Sequence, residues 1–190
     1  MKLSFIGLGV MGYPMAGFLS KFGYEVTVFN RTKSKAEKWC SEFKGNYAET
    51  PRDAVHDAEM AFICVGNDDD VREVALGETG IINGLKKESI IIDHTTASAK
   101  LACEIHDEAE KFPLRFLDAP LSGGQAGAES GKLTIMVGGQ KDVFDRASQI
   151  MKCYAKVCTL IGGVGSGPVS YTHLRAHETE ADLVCRLLLE

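Results

Sequence analysis

The sequence predicts an α/β fold, a Rossmann-like, doubly wound and mostly parallel sheet. Three observations carry that expectation. Short, nearly continuous apolar runs recur along the chain, as expected of strands covered on both faces. Amphipathic helical patterns separate them with short connections. A Gly-x-Gly-x-x-Gly motif, "GLGVMG" at Gly7 to Gly12, stands where the first run meets the first helix.

The runs "LSFIG" (3–7), "EVTVFN" (25–30), "MAFICVG" (60–66) and "SIIIDHT" (89–95) are the first four predicted strands. From the glycine motif onward, Val10, Met11, Met15, Phe18, Leu19 and Phe22 recur at helical spacing, and Pro14 falls in a first turn, where its missing N–H costs little. Further helices are expected at 33–42, 52–57, 69–75 and 98–111. "LRFLDAP" (114–120), "KLTIMVGG" (132–139), a helix at 141–151 and a strand near 156–161 complete the alternation. No internal repeat or low-complexity segment interrupts it.

The 190 residues suffice for one well-buried domain, or for one domain and a fragment of another. A net charge of -5 argues against a surface that neutralises nucleic-acid phosphates. The six cysteines form no Cys-x-x-Cys pair, which fits a reducing, cytoplasmic compartment. Gly7, Gly9 and Gly12 break the apolar start that could pass for a signal peptide, and no run reaches membrane-spanning length.

In the glycine motif the first glycine permits a tight turn, the second lets a pyrophosphate approach the backbone, and the third allows close helix–strand packing. Gly7, Leu8, Gly9, Val10, Met11 and Gly12 are therefore candidate cofactor contacts, with the helix N-terminus facing the phosphates. At the end of the second strand, where NAD enzymes usually carry an acid for the ribose, the chain reads Asn30, Arg31, Thr32. Arg31 can pair with a 2′-phosphate, so NADP is preferred and NAD is the alternative. Val65, Gly66, Asn67, Thr95 and Thr96 follow later strands, on the side where open α/β sheets bind ligands. Asp68, Asp69 and Asp70 read as a helix N-terminal signal rather than a metal site, and His94 and His106 as structural residues. No metal site is expected.

"DAPLSGGQAGAESGKLTIMVGG" (118–139) is the most distinctive stretch. Ser122, Gly123 and Gly124 offer a hydroxyl and backbone N–H groups suited to a small carboxylate. Together with "FIGLGVMGYPMAGFL" it closely resembles the β-hydroxyacid dehydrogenase family, over Met1 to about Gly167. The resemblance implies hydride transfer, without a metal, between the nicotinamide and the hydroxyl-bearing carbon of a short β-hydroxy acid. It also implies that Ser122, Gly123 and Gly124 hold the substrate carboxylate and that Thr96 lies near the nicotinamide ribose. "VREVALGETGI" (71–81) is similar to tartronate semialdehyde reductases, whereas Asn-Arg-Thr is similar to NADP-using glyoxylate and succinic semialdehyde reductases. A non-catalytic nucleotide-binding module and an imine-reductase-like relative are the other readings.

The family pattern runs from Gly163, Gly165 and Gly167 to a general acid/base lysine and then to a substrate-binding asparagine. Here those positions are Tyr171 and Leu174, so no catalytic residue is assigned. A neutral tyrosine does not supply the lysine's positive charge. "PVSYTHLRAHETEADLVCRLLLE" (168–190) resembles the in-frame translation of a transposase-type sequencing adapter on both sides of its index. It is therefore excluded from fold reasoning, although 179–189 has the capping and apolar pattern of a short helix. The expected organisation is an NAD(P)-binding domain over 1–167 and a non-native tail over 168–190. The family's all-helical C-terminal domain is then absent. A small carboxylate substrate and homo-oligomerisation are expected only of the intact parent, and an exposed apolar face of this chain.

Overall fold

The structure, a computed structural model, describes residues 1–170. Its elements run β1 (Lys2–Ile6), α1 (Gly12–Lys21), β2 (Glu25–Phe29), α2 (Lys33–Glu42), β3 (Asn46–Tyr47), α3 (Pro51–Val55), β4 (Met60–Ile63) and α4 (Asp68–Leu76). A 3-10 turn at Ile81–Asn83 then leads into β5 (Ile90–Asp93), α5 (Ala99–Glu110), β6 (Arg115–Asp118), β7 (Leu121–Ser122), α6 (Gly124–Ser130), β8 (Leu133–Gly139), α7 (Lys141–Met151) and β9 (Ala155–Gly162). The predicted alternation is present. Two two-residue strands and α6 are additions that sequence patterning missed.

The strands form one sheet in the order β3-β2-β1-β4-β5-β6-β8-β7, with β9 on β8. Neighbours from β3 to β6 are parallel, whereas β8 runs antiparallel to β6 and β7. The chain winds from β1 outward through β2 and β3, then returns past β1 to β4. The topological switch point is therefore between β1 and β4.

Continuous apolarity has the expected cause. Along β4, Met60 and Phe62 enter one core cluster, while Ala61 and Ile63 enter the other. Ile90 and Ile92 face the first layer from β5, and Ile91 the second. Met15, Leu19 and Trp39 from α1 and α2, with Val143 and Ala147 from α7, cover one face; Val71, Leu101 and Ile105 from α4 and α5 cover the other. With both faces buried, a strand has no polar side to alternate with. β9 differs, because none of its residues is fully buried and Val157 and Ile161 are 44% and 37% exposed.

Candidate functional site

The glycine loop is fixed between the ends of three strands. Gly7 donates its N–H to the Phe29 carbonyl at 2.9 Å and has φ +99°, in the left-handed region. A Cβ there would collide with the Cys64 carbonyl at the end of β4, so glycine is required by conformation and by space. A Cβ on Gly12 would collide with the Gly7 carbonyl and lie 2.9 Å from the Phe5 ring. Gly9 is different: a Cβ there meets nothing within 4 Å. Its missing side chain is therefore demanded by no neighbouring protein atom, and the space beside the loop is open.

Asn30 braces this loop. Its Oδ1 accepts the Leu8 N–H at 2.9 Å, and its Nδ2 donates to the Thr32 carbonyl at 3.0 Å. Asn30, read as a cofactor contact, therefore shapes the glycine loop. A signal for this was present in the sequence, because an amide at the end of the strand beside the loop can donate and accept at once.

A cleft of about 460 Å³ opens at the switch point. Gly7, Gly9, Val10 and Met11 form its floor, Asn30, Arg31, Thr32 and Lys35 one wall, and Val65, Gly66 and Asp70 the other. Most of the predicted cofactor contacts are thus brought together. Leu8, Gly12, Asn67, Thr96, Ser122, Gly123 and Gly124 are not among its lining.

Asn67 caps α4, its Oδ1 accepting the Asp70 N–H at 2.9 Å. Thr96 is exposed on the loop after β5, whereas its buried neighbour Thr95 accepts the Val65 N–H on Oγ1 at 3.1 Å. Ser122 ends β7, and Gly123 and Gly124, with φ +119° and +56°, turn the chain into α6. The acidic run occupies the first turn of α4, as read, and Asp68 also accepts the Ser98 N–H and hydroxyl at 3.0 and 2.6 Å. Among the described residues, no group of His, Cys, Asp and Glu is placed to hold a metal ion.

One carboxylate was not legible in the sequence. The end of β2 carries no acid, yet Asp70 reaches across from α4 and its Oδ1 lies 3.2 Å from Arg31 Nη1. The end of β2 is free of acids in sequence, but the fold brings this one to Arg31 from α4. The contact spans 39 residues, and only the switch-point topology creates it.

Below the cleft, the ends of β5 and β6 hold a buried polar layer. Asp93 and Asp118 are register partners, only 4% and 2% exposed. Burial pushes the Asp93 carboxyl up to about 7, against the hydrogen bond that its Oδ1 accepts from the Thr95 N–H at 2.9 Å. Burial also raises Asp118, opposed by the Gly165 and Gly167 N–H groups, which donate to its two oxygens at 2.6 and 2.8 Å. Asp118 therefore ties down the third glycine-rich segment, and residues 166–170 continue it as a helical turn.

His94 is neutral, because burial lowers its pKa to about 4. Its Nδ1 contacts the Ala119 carbonyl at 2.7 Å and so carries the proton, leaving Nε2, 2.9 Å from the Tyr154 oxygen, to accept the phenol hydrogen. Its structural reading agrees with this placement. Tyr171 and Leu174, the positions of the family's lysine and asparagine, and the tail helix at 179–189 lie outside the described residues. No helix among the described residues is long and apolar enough to cross a membrane.

Comparison with known proteins agrees with this geometry. Residues 2–163 match the family model described as the NAD binding domain of 6-phosphogluconate dehydrogenase. An uncharacterized oxidoreductase of Shewanella frigidimarina is 51% identical over 169 residues, covering 89% of this chain and 58% of that protein. The mitochondrial 3-hydroxyisobutyrate dehydrogenase of Mus musculus is 36% identical, covering 87% of this chain and 49% of its own. A solved structure of Mycobacterium tuberculosis 3-hydroxyisobutyrate dehydrogenase with L-serine superposes with a TM-score of 0.84 at 28% identity, over 90% of this chain and 57% of that one. The chain thus spans roughly half to three-fifths of the length of these relatives. A tightly turned glycine loop, a cleft at the switch point and a match over nearly all the described residues lead to one conclusion: the chain belongs to the family of the NAD-binding domain of 6-phosphogluconate dehydrogenase, as an NAD(P)-binding domain related to the 3-hydroxyisobutyrate dehydrogenases.

Proposed function

We propose that this chain is the cofactor-binding part of an NADP-dependent β-hydroxyacid dehydrogenase, and that as it stands it binds NADP(H) weakly without turning substrate over. The observation that carries the reading is Arg31, a cation on the cleft wall at the end of β2, where an NAD enzyme usually presents an acid. Thr32 and Lys35 line the same wall and add donors for a 2′-phosphate. The open space at Gly9 admits the pyrophosphate, and the backbone N–H groups at the start of α1 face it. When bound, the nicotinamide supplies or takes the hydride.

Ser122, Gly123 and Gly124 are proposed to hold the substrate carboxylate, and Thr96 to approach the nicotinamide ribose. The M. tuberculosis relative was solved with L-serine, a molecule that has a carboxylate and a hydroxyl on its β-carbon, which supports a short β-hydroxy acid as the substrate class. Proton transfer in this chain lacks its charged group, since Tyr171 stands at the lysine position. A tyrosine near its ordinary pKa of about 10 is neutral and cannot stabilise a developing alkoxide by charge.

We also propose that residues 168–190 are not native, and that the intact protein continues with a lysine and an asparagine at positions 171 and 174. Sequencing the source locus across Gly167 tests this: codons from Val169 onward that differ from the adapter overturn it. Titration calorimetry with NADP+ and NAD+ tests cofactor choice. Wild type should favour NADP+, and Arg31→Asp should reverse that order. Appreciable turnover of a β-hydroxy acid by this chain would overturn the catalytic part of the reading.

A further inference from the structure

We propose that Asp70 sets cofactor selectivity, because it holds Arg31 across the cleft and competes with a 2′-phosphate for that guanidinium. The inference rests on the reading that the cleft takes NADP(H). It goes beyond that reading by assigning a second residue, on the opposite wall, that opposes the first.

Asp70 is the fixed partner of the pair. Its N–H is bound by Asn67 Oδ1 at 2.9 Å in the first turn of α4, and its side chain is 25% exposed. Arg31, with 80% of its side chain exposed, is the partner free to move. Gly66 makes the approach possible, since a Cβ there would lie 2.6 Å from Asp70 Oδ2. Both members line the cleft, so a phosphate arriving at Arg31 must take it from the Asp70 carboxylate and then sit beside that like charge.

NAD has no phosphate at this position and provokes no such competition. Its 2′-hydroxyl can donate to a carboxylate, the part usually taken by an acid at the end of the second strand. Asp70 presents that carboxylate from the far wall instead. The pair therefore narrows the preference for NADP over NAD that Arg31 alone would give.

The test is a set of dissociation constants for NADP+ and NAD+, measured by titration calorimetry on the full chain and on Asp70→Asn, Arg31→Ala and the double variant. Asp70→Asn should tighten NADP+ by roughly two- to fivefold, the range of one partly exposed ion pair, and should leave NAD+ unchanged or weaker. In the Arg31→Ala background the same change should alter NADP+ affinity by less than about twofold. Asp69→Asn is the control, because it removes an equal charge from the same turn at a side chain 96% exposed and paired with Arg72. It should leave the NADP+/NAD+ ratio alone, with helix content by circular dichroism confirming that every variant folds.

An unchanged ratio in Asp70→Asn, an equal shift in Asp69→Asn, or a gain that persists fully without Arg31 each overturns the proposal. If wild type prefers NADP+ and Asp70→Asn is silent, only the role of Asp70 fails. If wild type binds no NADP+, the cofactor reading fails with it.

Discussion

Replacing Asp93 by asparagine should stabilise the protein by an amount that grows as pH rises from about 4 and levels off above about 7. Asp93 is buried at the end of β5, and desolvation lifts its carboxyl from 3.8 to about 7. The folded state thus binds a proton that the unfolded state releases, at any pH between those two values. Stability attributable to this group is full below about pH 4, declines as pH rises, and is lost above about pH 7. A rise from 3.8 to about 7 corresponds to about 4 kcal/mol at most. Asparagine keeps an oxygen to accept the Thr95 N–H and removes the charge beside Asp118. Urea unfolding followed through the buried Trp39, the only tryptophan, would measure the difference. Asp93→Asn should match wild type within about 1 kcal/mol near pH 4 and exceed it by on the order of 2–4 kcal/mol near pH 8. A constant gap across pH, or a variant less stable near pH 8, would refute the argument that burial of the charge is the dominant cost.

Other substitutions separate folding from binding. Gly9→Ala should change stability by no more than about 0.5 kcal/mol, because its Cβ meets nothing, yet weaken NADPH binding at least tenfold by filling the approach to the loop. Gly12→Ala should instead cost about 2 kcal/mol or more, since its Cβ would strike the Gly7 carbonyl and Phe5, so thermal melts should rank the two variants widely apart. Arg31→Asp should lower NADP+ affinity at least tenfold and leave NAD+ equal or tighter in paired titrations; equal losses for both would refute a contact specific to the 2′-phosphate.

The strands that build the cleft were legible because burial on both faces writes itself as uninterrupted apolarity, as in Met60, Ala61, Phe62 and Ile63. β3 and β7, two residues each, are too short to show any period. The α6 sequence "GQAGAES" reads as a loop by propensity, since glycine is a poor helix former. Packing overrides that preference: Ala128 is fully buried, Gly127 lies under Leu133, and left-handed Gly131 closes the helix.

The site shows the same division. Gly7 and Gly12 could be assigned from spacing because each answers a local steric need, whereas a Cβ on Gly9 meets no protein atom within 4 Å. The Arg31–Asp70 pair, the Asp93–Asp118 layer and the Asp118 grip on Gly165 and Gly167 join residues far apart in the chain, and only the strand order brings them together. Ser122, Gly123 and Gly124 stand apart from the cleft lining, so their assignment still rests on the resemblance that suggested it.

The most direct test of the central claim is NADPH titration into the 15N-labelled chain, read as amide shifts. Occupancy of the switch-point cleft predicts saturable shifts at Gly7, Gly9, Val10, Arg31 and Gly66, and none in the separate hollow around Asn46, His56 and Asp57. Shifts confined to that second hollow, or no saturable shift at the glycine loop, would contradict the account.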